Sequence, residues 1–141
     1  MWEVIMKPYI HYVQYYETDK MGITHHSNYI RWMEEARVDF LEQIGWGYAK
    51  LESLGILSPV IGIECSYKKT TTFNDNIQID LQVVDYGGLK FTLRYCMKNV
   101  TTHQVVAVGT SRHCFLDSEG RPLLLSKKIP ELHAVFSAFL T

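Results

Sequence analysis

Residues 15–29 read YYETDKMGITHHSNY and bring a carboxylate, a glycine and a helix start close together in the chain. Asp19 and Gly22 predict a tight turn, because Asp side chains bond nearby backbone N–H groups and glycine bends the backbone freely. Either Ser27 or Asn28 is expected to cap the helix that follows, since both side chains accept hydrogen bonds from free N–H groups. The segment therefore predicts a turn that joins a strand to a long helix.

The predicted turn also has the chemistry of an acyl-transfer site. A helix N-terminus presents unpaired N–H groups and positive partial charge, which can hold the oxygen of a carbonyl group. A carboxylate beside these groups can attack the carbonyl carbon, or activate a water molecule that attacks it. An Asp that accepts backbone N–H bonds is expected to stay ionised at neutral pH, as both roles require. Asp19 is therefore a candidate reacting group, although Asp is also an ordinary turn residue.

The spacing of apolar residues predicts one long helix after this turn. The apolar positions are Tyr29, Met33, Ala36, Phe40 and Ile44. Gly45 and Gly47 are expected to end the helix. Glu34 and Arg37 lie three residues apart and are predicted to form an ion pair that orients the partly buried helix, and the alternative is that Glu34 faces the site. Before the turn, residues 9–16 are rich in aromatic and β-branched side chains and are expected to form a strand.

The rest of the chain has the alternation of β-strands. Apolar and polar residues alternate around residues 61–68, 77–83, 89–95 and 105–112. A strand, a long helix and four hairpin-linked strands predict an α+β fold, with an antiparallel sheet of about five strands wrapped around one central helix. Pro130 is expected to open a short terminal helix. The chain has neither a linker nor a repeat, so residues 1–141 are interpreted as a single domain.

The composition argues against several classes of protein. The net charge of −1 leaves no broad electrostatic footprint for nucleic acid. No apolar run approaches the ~20 residues that span a bilayer and no signal peptide is recognised, so no membrane association and a cytoplasmic location are expected. The cysteines are isolated and odd in number, which argues against disulfides and a zinc site. Adjacent side chains such as His25 and His26 rarely point at one ion, so no metal is expected.

A longer pattern carries a resemblance to a known family. Residues 16–29 have the pattern YxTDxxGxxxHxNY, and residues 32–37 have the pattern WxExAR. Together they resemble the hotdog-fold acyl-CoA thioesterases, in particular the branch that contains 4-hydroxybenzoyl-CoA thioesterase and YbgC-like proteins. The Gly87-Gly88 hairpin also matches, and the resemblance extends over roughly residues 9–131. It implies the hotdog fold, in which an antiparallel sheet wraps around a central helix.

The resemblance assigns roles to residues at the turn and in one hairpin. It implies that Asp19 is the catalytic aspartate, acting as nucleophile or as general base on water. It also implies that the backbone N–H of His26 polarises the thioester carbonyl. The His26 side chain is an alternative acid, base or ligand contact, roles that histidine often takes in enzymes. The positions implied to bind substrate are Gly22 and Asn28 near the turn, and Gly88 and Lys90 in the hairpin that approaches coenzyme A.

The activity implied by the resemblance is hydrolysis of an acyl-CoA thioester to a carboxylic acid and free coenzyme A. No cofactor is expected, because coenzyme A is part of the substrate. The family implies a homodimer or homotetramer with active sites at the subunit interface, and a dimer that joins two sheets would also cover an exposed strand edge. Two alternatives stay open, namely hydrolysis of acyl groups from acyl carrier protein and non-catalytic binding of acyl-CoA.

The acyl group is not identified by the sequence. Aromatic residues that could line an aromatic-sized pocket, and are equally suited to the core, are Tyr12, Tyr15, Tyr16, Trp32 and Trp46. Basic residues on the predicted polar strand faces are Lys68, Lys69, Lys90, Arg94, Lys98 and Arg112. Most of these are expected to face solvent, while one or two could meet the phosphates of coenzyme A.

Overall fold

A computed structural model of the chain describes residues 6–140, which form a single antiparallel sheet with helices packed against it. The elements are β1 (Tyr9–Tyr12), α1 (Ser27–Gln43), α2 (Tyr48–Ser53), β2 (Val60–Tyr67), β3 (Asn76–Tyr86), β4 (Lys90–Asn99), β5 (Val105–Cys114), α3 (Leu125–Lys128) and α4 (Pro130–Phe139). The strands lie in the order β1-β3-β4-β5-β2, and every neighbouring pair is antiparallel. The predicted α+β fold is confirmed. Among residues 6–140, no helix combines the length and apolar character that a membrane span requires.

The long helix α1 lies across the sheet and forms the centre of the core. Its apolar side buries Trp32, Met33 and Phe40. At Gly109 in β5, a Cβ atom would lie 3.0 Å from Met33 Sδ and 2.9 Å from the carbonyl oxygen of Glu64. Contacts this short are not tolerated between a side chain and backbone, so glycine at this position lets α1 approach the sheet.

Three of the predicted element boundaries are confirmed. Gly45 follows the end of α1 with a φ of +82°, a left-handed conformation that favours glycine. Gly88 has a φ of +95° in the hairpin between β3 and β4. The terminal helix α4 begins at Pro130, where the missing N–H of proline costs no helical hydrogen bond.

The first strand is shorter than the sequence predicts. It was expected over residues 9–16, but β1 ends at Tyr12 and Tyr15–Glu17 form one turn of 3-10 helix. The chain curls because the buried carboxylate of Glu17 accepts the N–H of Gln14 at 2.8 Å. A hydrogen bond to a buried charge outweighs the weak preference of aromatic residues for an extended strand.

The Arg37 side chain points towards the sheet and not towards Glu34. Its Nε donates to the Tyr48 hydroxyl at 2.8 Å, and its guanidinium also donates to the Tyr95 hydroxyl at 3.2 Å. Arg37 is buried while Glu34 is exposed, and the two form no ion pair in the described part of the chain. The predicted Glu34–Arg37 ion pair is therefore wrong, because tertiary contacts turn the guanidinium into the core.

A buried histidine lies at the end of the same polar chain. Ser111 Oγ lies 2.6 Å from the Tyr95 hydroxyl and 2.7 Å from His113 Nε2. The His113 ring is fully buried and stacks on Phe91 with ring centroids 4.7 Å apart. Burial, together with the nearby positive charge of Arg37, lowers the pKa of His113 to about 3. His113 is consequently neutral in the folded protein at physiological pH.

The strand β2 forms one edge of the sheet and carries exposed apolar side chains. These residues are Val60, Ile61, Ile63 and Tyr67. Within residues 6–140, no strand pairs with the outer side of β2. Unpaired backbone groups next to apolar side chains favour pairing with another strand.

Candidate active site

Asp19 and His26, the two residues predicted to carry the chemistry, line the same surface cleft. The cleft has a volume of about 310 Å³. Its lining residues are Asp19, Ile23, Thr24, His26, Tyr29, Tyr67, Lys68, Lys69 and Thr70. A larger cavity of about 430 Å³ lies between α1, β3 and β4, but it contains none of the predicted site residues. The turn and the end of β2 therefore form the candidate active site.

The turn holds the Asp19 carboxylate by hydrogen bonds within the loop itself. Oδ1 of Asp19 accepts the Met21 N–H at 2.8 Å, and the carbonyl oxygen of Asp19 accepts the Gly22 N–H at 2.9 Å. Gly22 has a φ of +78°, so the predicted glycine turn is confirmed. Within residues 6–140, Oδ2 of Asp19 has no hydrogen-bond partner. One carboxylate oxygen is therefore held in place while the other is available for chemistry.

The start of α1 supplies a free backbone donor beside this carboxylate. In the described part of the chain, the His26 N–H has no hydrogen-bond partner. The His26 side chain is exposed, and the main-chain carbonyl oxygen of His26 accepts a hydrogen bond from the Tyr67 hydroxyl at 3.4 Å. An unpaired N–H at the positive end of a helix dipole can stabilise negative charge on a carbonyl oxygen.

The prediction that Ser27 or Asn28 caps α1 is wrong. No side chain of the capping residue bonds the first turn, and the Ser27 N–H instead donates to Nδ1 of His25 at 3.2 Å. Asn28 is buried in the first turn, where its Nδ2 donates to the carbonyl oxygen of Glu17 at 2.9 Å. Asn28 therefore ties the helix start to the loop that leads to Asp19, which is a tertiary role rather than a capping role.

Two lysines are brought into the cleft by the end of β2. The N–H groups of Lys68 and Lys69 both donate to the carbonyl oxygen of Val106, at 2.8 and 3.1 Å. Both lysines are exposed, and neither forms an ion pair within the described residues. The sequence grouped them with the solvent-facing cations of the strands. The tertiary structure places both in the lining of the cleft that contains Asp19.

The hairpin residues Gly88 and Lys90 lie outside this cleft. The carbonyl oxygen of Gly88 accepts the Leu125 N–H at 2.9 Å, and that of Lys90 accepts the Gly87 N–H at 3.1 Å. The first contact holds the hairpin against the start of α3, and the second closes the hairpin itself. A role for Gly88 and Lys90 in binding would need a second copy of the chain that brings its hairpin to the cleft, and this role stays a prediction.

The aromatic residues divide between core and surface. Trp32 is fully buried on the core-facing side of α1, whereas Tyr15 and Tyr16 are 76% and 81% exposed beside the Asp19 loop. The ring of Tyr15 also packs edge-on against Phe73 at 5.6 Å. Trp32 therefore fills the core, and the aromatic side chain that contributes to the cleft next to Tyr29 is Tyr67.

Sequence reasoning missed Glu17, a buried carboxylate two residues before Asp19. Glu17 is 4% exposed, and its carboxylate contacts the Gln14 N–H, His11 and the Trp32 indole N–H. Burial alone would raise its pKa, but these hydrogen bonds hold the pKa of Glu17 below its usual value. A buried Trp and a buried His both need polar partners. The presence of Trp32 and His11 was therefore the available sequence signal for a nearby buried polar group such as Glu17.

The sequence and the fold of this chain are both similar to those of known proteins. The sequence pattern that defines the thioesterase-like superfamily matches residues 13–140. The "Putative acyl-CoA thioesterase YneP" of Bacillus subtilis is 34% identical over 125 residues, covering 88% of this chain and 90% of the relative. The structure of DHNA-CoA thioesterase from Staphylococcus aureus has a TM-score of 0.88 at 29% identity, covering 93% of this chain and 88% of that one. A hypothetical protein from Aquifex aeolicus has a TM-score of 0.82 at 33% identity, covering 89% of this chain and 97% of that one.

Proposed function

The chain belongs to the thioesterase-like superfamily and is a thioester hydrolase, and we propose that it cleaves an acyl-CoA with Asp19 as the catalytic carboxylate. The products are a carboxylic acid and free coenzyme A. The observation that supports this proposal is that Asp19 and His26 line one cleft of about 310 Å³, and that within residues 6–140 neither Asp19 Oδ2 nor the His26 N–H has a hydrogen-bond partner.

In the proposed mechanism, the thioester carbonyl oxygen accepts the His26 N–H. This contact polarises the carbonyl and stabilises the negative charge that develops on oxygen during attack. Asp19 either attacks the carbonyl carbon, forming an anhydride that water then hydrolyses, or takes a proton from a water molecule that attacks. A thiolate leaves without a strong general acid, so one carboxylate and one oriented donor suffice.

The two lysines of the cleft support coenzyme A as the carrier. The leaving group of an acyl-CoA carries phosphates, and Lys68 and Lys69 offer positive charge without a competing carboxylate partner in the described residues. Ammonium groups bind phosphate oxygens through charge-assisted hydrogen bonds. Acyl carrier protein would need a docking surface as well, and the net charge of −1 offers no broad basic face for one.

The proposed assembly is a homodimer, or a homotetramer built from it, with the active site at the subunit interface. Pairing of two β2 edges would satisfy the open backbone groups and cover exposed Ile61 and Ile63. Because Tyr67 is the last residue of β2 and Lys68 follows it, this pairing would bring a second subunit next to the cleft.

A screen of short, medium, long and aromatic acyl-CoAs with a thiol-reporting dye tests the proposal. Release of coenzyme A from at least one substrate, lost in Asp19→Asn, would support it. Binding of acyl-CoA across the panel without any thiol release would overturn it in favour of a non-catalytic binder. Comparison of the same acyl chain on coenzyme A and on acyl carrier protein identifies the preferred carrier.

A further inference from the structure

We infer that Glu17 is a positioning residue, which holds the Asp19 loop at a fixed position relative to the start of α1. The inference rests on the proposed function, because it concerns the geometry of that same site. Glu17 touches no part of the cleft itself. It acts through the two backbone segments that present Asp19 and the His26 N–H.

The side chain of Glu17 anchors the loop to the core. Oε1 accepts the Gln14 N–H at 2.8 Å and lies 2.8 Å from His11 Nε2, while Oε2 accepts the Trp32 indole N–H at 2.7 Å. These contacts reach β1 through His11 and the buried side of α1 through Trp32. The carboxylate therefore joins the strand before the turn to the helix after it.

The main chain of Glu17 makes the second connection. Its carbonyl oxygen accepts the His25 N–H at 2.8 Å and the Asn28 Nδ2 group at 2.9 Å. His25 directly precedes His26, whose N–H is the proposed carbonyl donor. Glu17, which lies two residues before Asp19, thus binds the start of α1 through its main chain and the core through its side chain.

The hydrogen bonds around residue 17 require a carboxylate side chain. Both oxygens of Glu17 accept hydrogen bonds, and Gln would place an NH₂ group against either the Trp32 N–H or the Gln14 N–H. Two opposed donors in a buried site cost free energy, because neither can reach water. The Glu17 loop would have to shift to relieve this contact.

A small shift of this loop is expected to affect the chemical step more than binding. Displacement of a reacting group by about 1 Å can slow a reaction by about 100-fold. Binding of the phosphate-bearing part of the substrate is expected to depend instead on Lys68 and Lys69, whose backbone follows β2 and is separate from the Asp19 loop. Loss of Glu17 should therefore lower kcat and leave KM close to its wild-type value.

The test compares Glu17→Gln with Glu35→Gln in the full chain. Glu35 Oε1 lies 3.0 Å from Nδ1 of the same His11 ring, but its backbone belongs to α1 and not to the Asp19 loop. We expect E17Q to lower kcat by about tenfold or more with KM within about twofold, and E35Q to change both by no more than about twofold. Circular dichroism and thermal melting establish the folded fraction of each variant at the assay temperature.

Two further variants separate positioning from general loss of stability. Leu132→Ala in α4 removes a fully buried side chain remote from this loop, and it should lower the melting temperature without lowering kcat per folded molecule. Trp32→Phe removes the N–H donor to Glu17 together with part of a buried ring, and it serves if E17Q fails to fold. We expect W32F to lower kcat in the same direction, with KM unchanged.

The inference is overturned if folded E17Q, or W32F in its place, retains wild-type kcat. It is also overturned if E35Q or L132A loses as much kcat as E17Q. These outcomes are distinct from failure of the proposed function. An inactive wild-type chain would reject the thioesterase assignment, whereas an active wild type, an inactive D19N and a fully active E17Q would reject only the role of Glu17.

Discussion

The main-chain N–H of Asp19 donates to the carbonyl oxygen of Ile23 at 2.9 Å, which closes the turn around Gly22. The same turn directs the Met21 N–H to Oδ1 of the Asp19 carboxylate. The orientation of the carboxylate is therefore set by its own loop and not by a second side chain. A substitution can thus remove the charge of residue 19 and still keep the hydrogen bond that orients its side chain.

Replacement of Asp19 by Asn should abolish most turnover and leave the fold intact. The amide oxygen of Asn can still accept the Met21 N–H, but it is neither a nucleophile nor a base. We expect thiol release to fall by at least about 100-fold. The assay is dye-monitored release of coenzyme A, with thermal melting as the control for folding. Unchanged release by D19N would reject Asp19 as the reacting group.

Replacement of Gly22 by Ala should lower both stability and activity. The φ of +78° costs a side chain about 1 kcal/mol, although nothing lies within 4 Å of the added Cβ. Gly120→Ala is a matched control, since Gly120 has a φ of +83° and an equally open surrounding but lies in a turn outside the site. We expect similar losses of unfolding free energy for both variants, and a loss of kcat for G22A only. Equal kcat values for the two would contradict the role of the turn.

Removal of the two cleft lysines should weaken binding of phosphate-bearing substrates. For Lys68→Gln/Lys69→Gln, we expect KM for an acyl-CoA to rise about tenfold, which corresponds to about 1.4 kcal/mol. The same acyl group on N-acetylcysteamine, which has no phosphate, should show an unchanged KM. Lys50→Gln/Lys98→Gln removes the same charge outside the cleft and serves as the control. An equal rise in KM for both thioesters would argue against phosphate recognition by these lysines.

Stability should fall with acidification because His113 is buried as the neutral ring. Its pKa is about 3 in the folded protein, against 6.5 for the free side chain, so the unfolded chain binds the extra proton between these values. The contribution of His113 is therefore fully present above pH 6.5 and is lost as the pH falls towards 3. Within this window it adds a slope of up to about 1.4 kcal/mol per pH unit to the free energy of unfolding.

The measurement for His113 is urea unfolding of wild type and His113→Gln at several pH values. Gln retains a donor for Ser111 but does not titrate in this range. The difference in unfolding free energy between the two proteins should shrink as the pH falls from 6.5 towards 3. A difference that stays constant over that range would show that His113 does not carry this pH dependence.

A charge on the open edge of β2 should dissociate the proposed dimer. Ile63 is 36% exposed on this strand, and a lysine there would place like charges together across a two-fold axis. We expect I63K to be a folded monomer with reduced turnover by native mass measurement and thiol assay. Val100→Lys, an exposed apolar position in the turn after β4, is the matched control and should leave the assembly unchanged.

Local sequence patterns predicted most of the secondary structure, and the errors share one cause. The periodicities of α1 and of the strands depend on near neighbours in the chain, so they can be recognised without a fold. The predictions failed at the end of β1, at the cap of α1 and at Arg37. In each case a buried polar side chain found a partner in another element, and that partner overrode the local preference.

The sequence by itself determined that a carboxylate and a helix start lie together, because Asp19 and His26 are separated only by a tight turn. Its resemblance to a known family further identified the fold and the expected chemistry. Only the tertiary structure decided that Lys68 and Lys69 share the cleft with Asp19, and that Glu17 lies buried beneath the loop. Those relationships depend on the strand order β1-β3-β4-β5-β2 and on the packing of α1, which bring together groups that no local pattern connects.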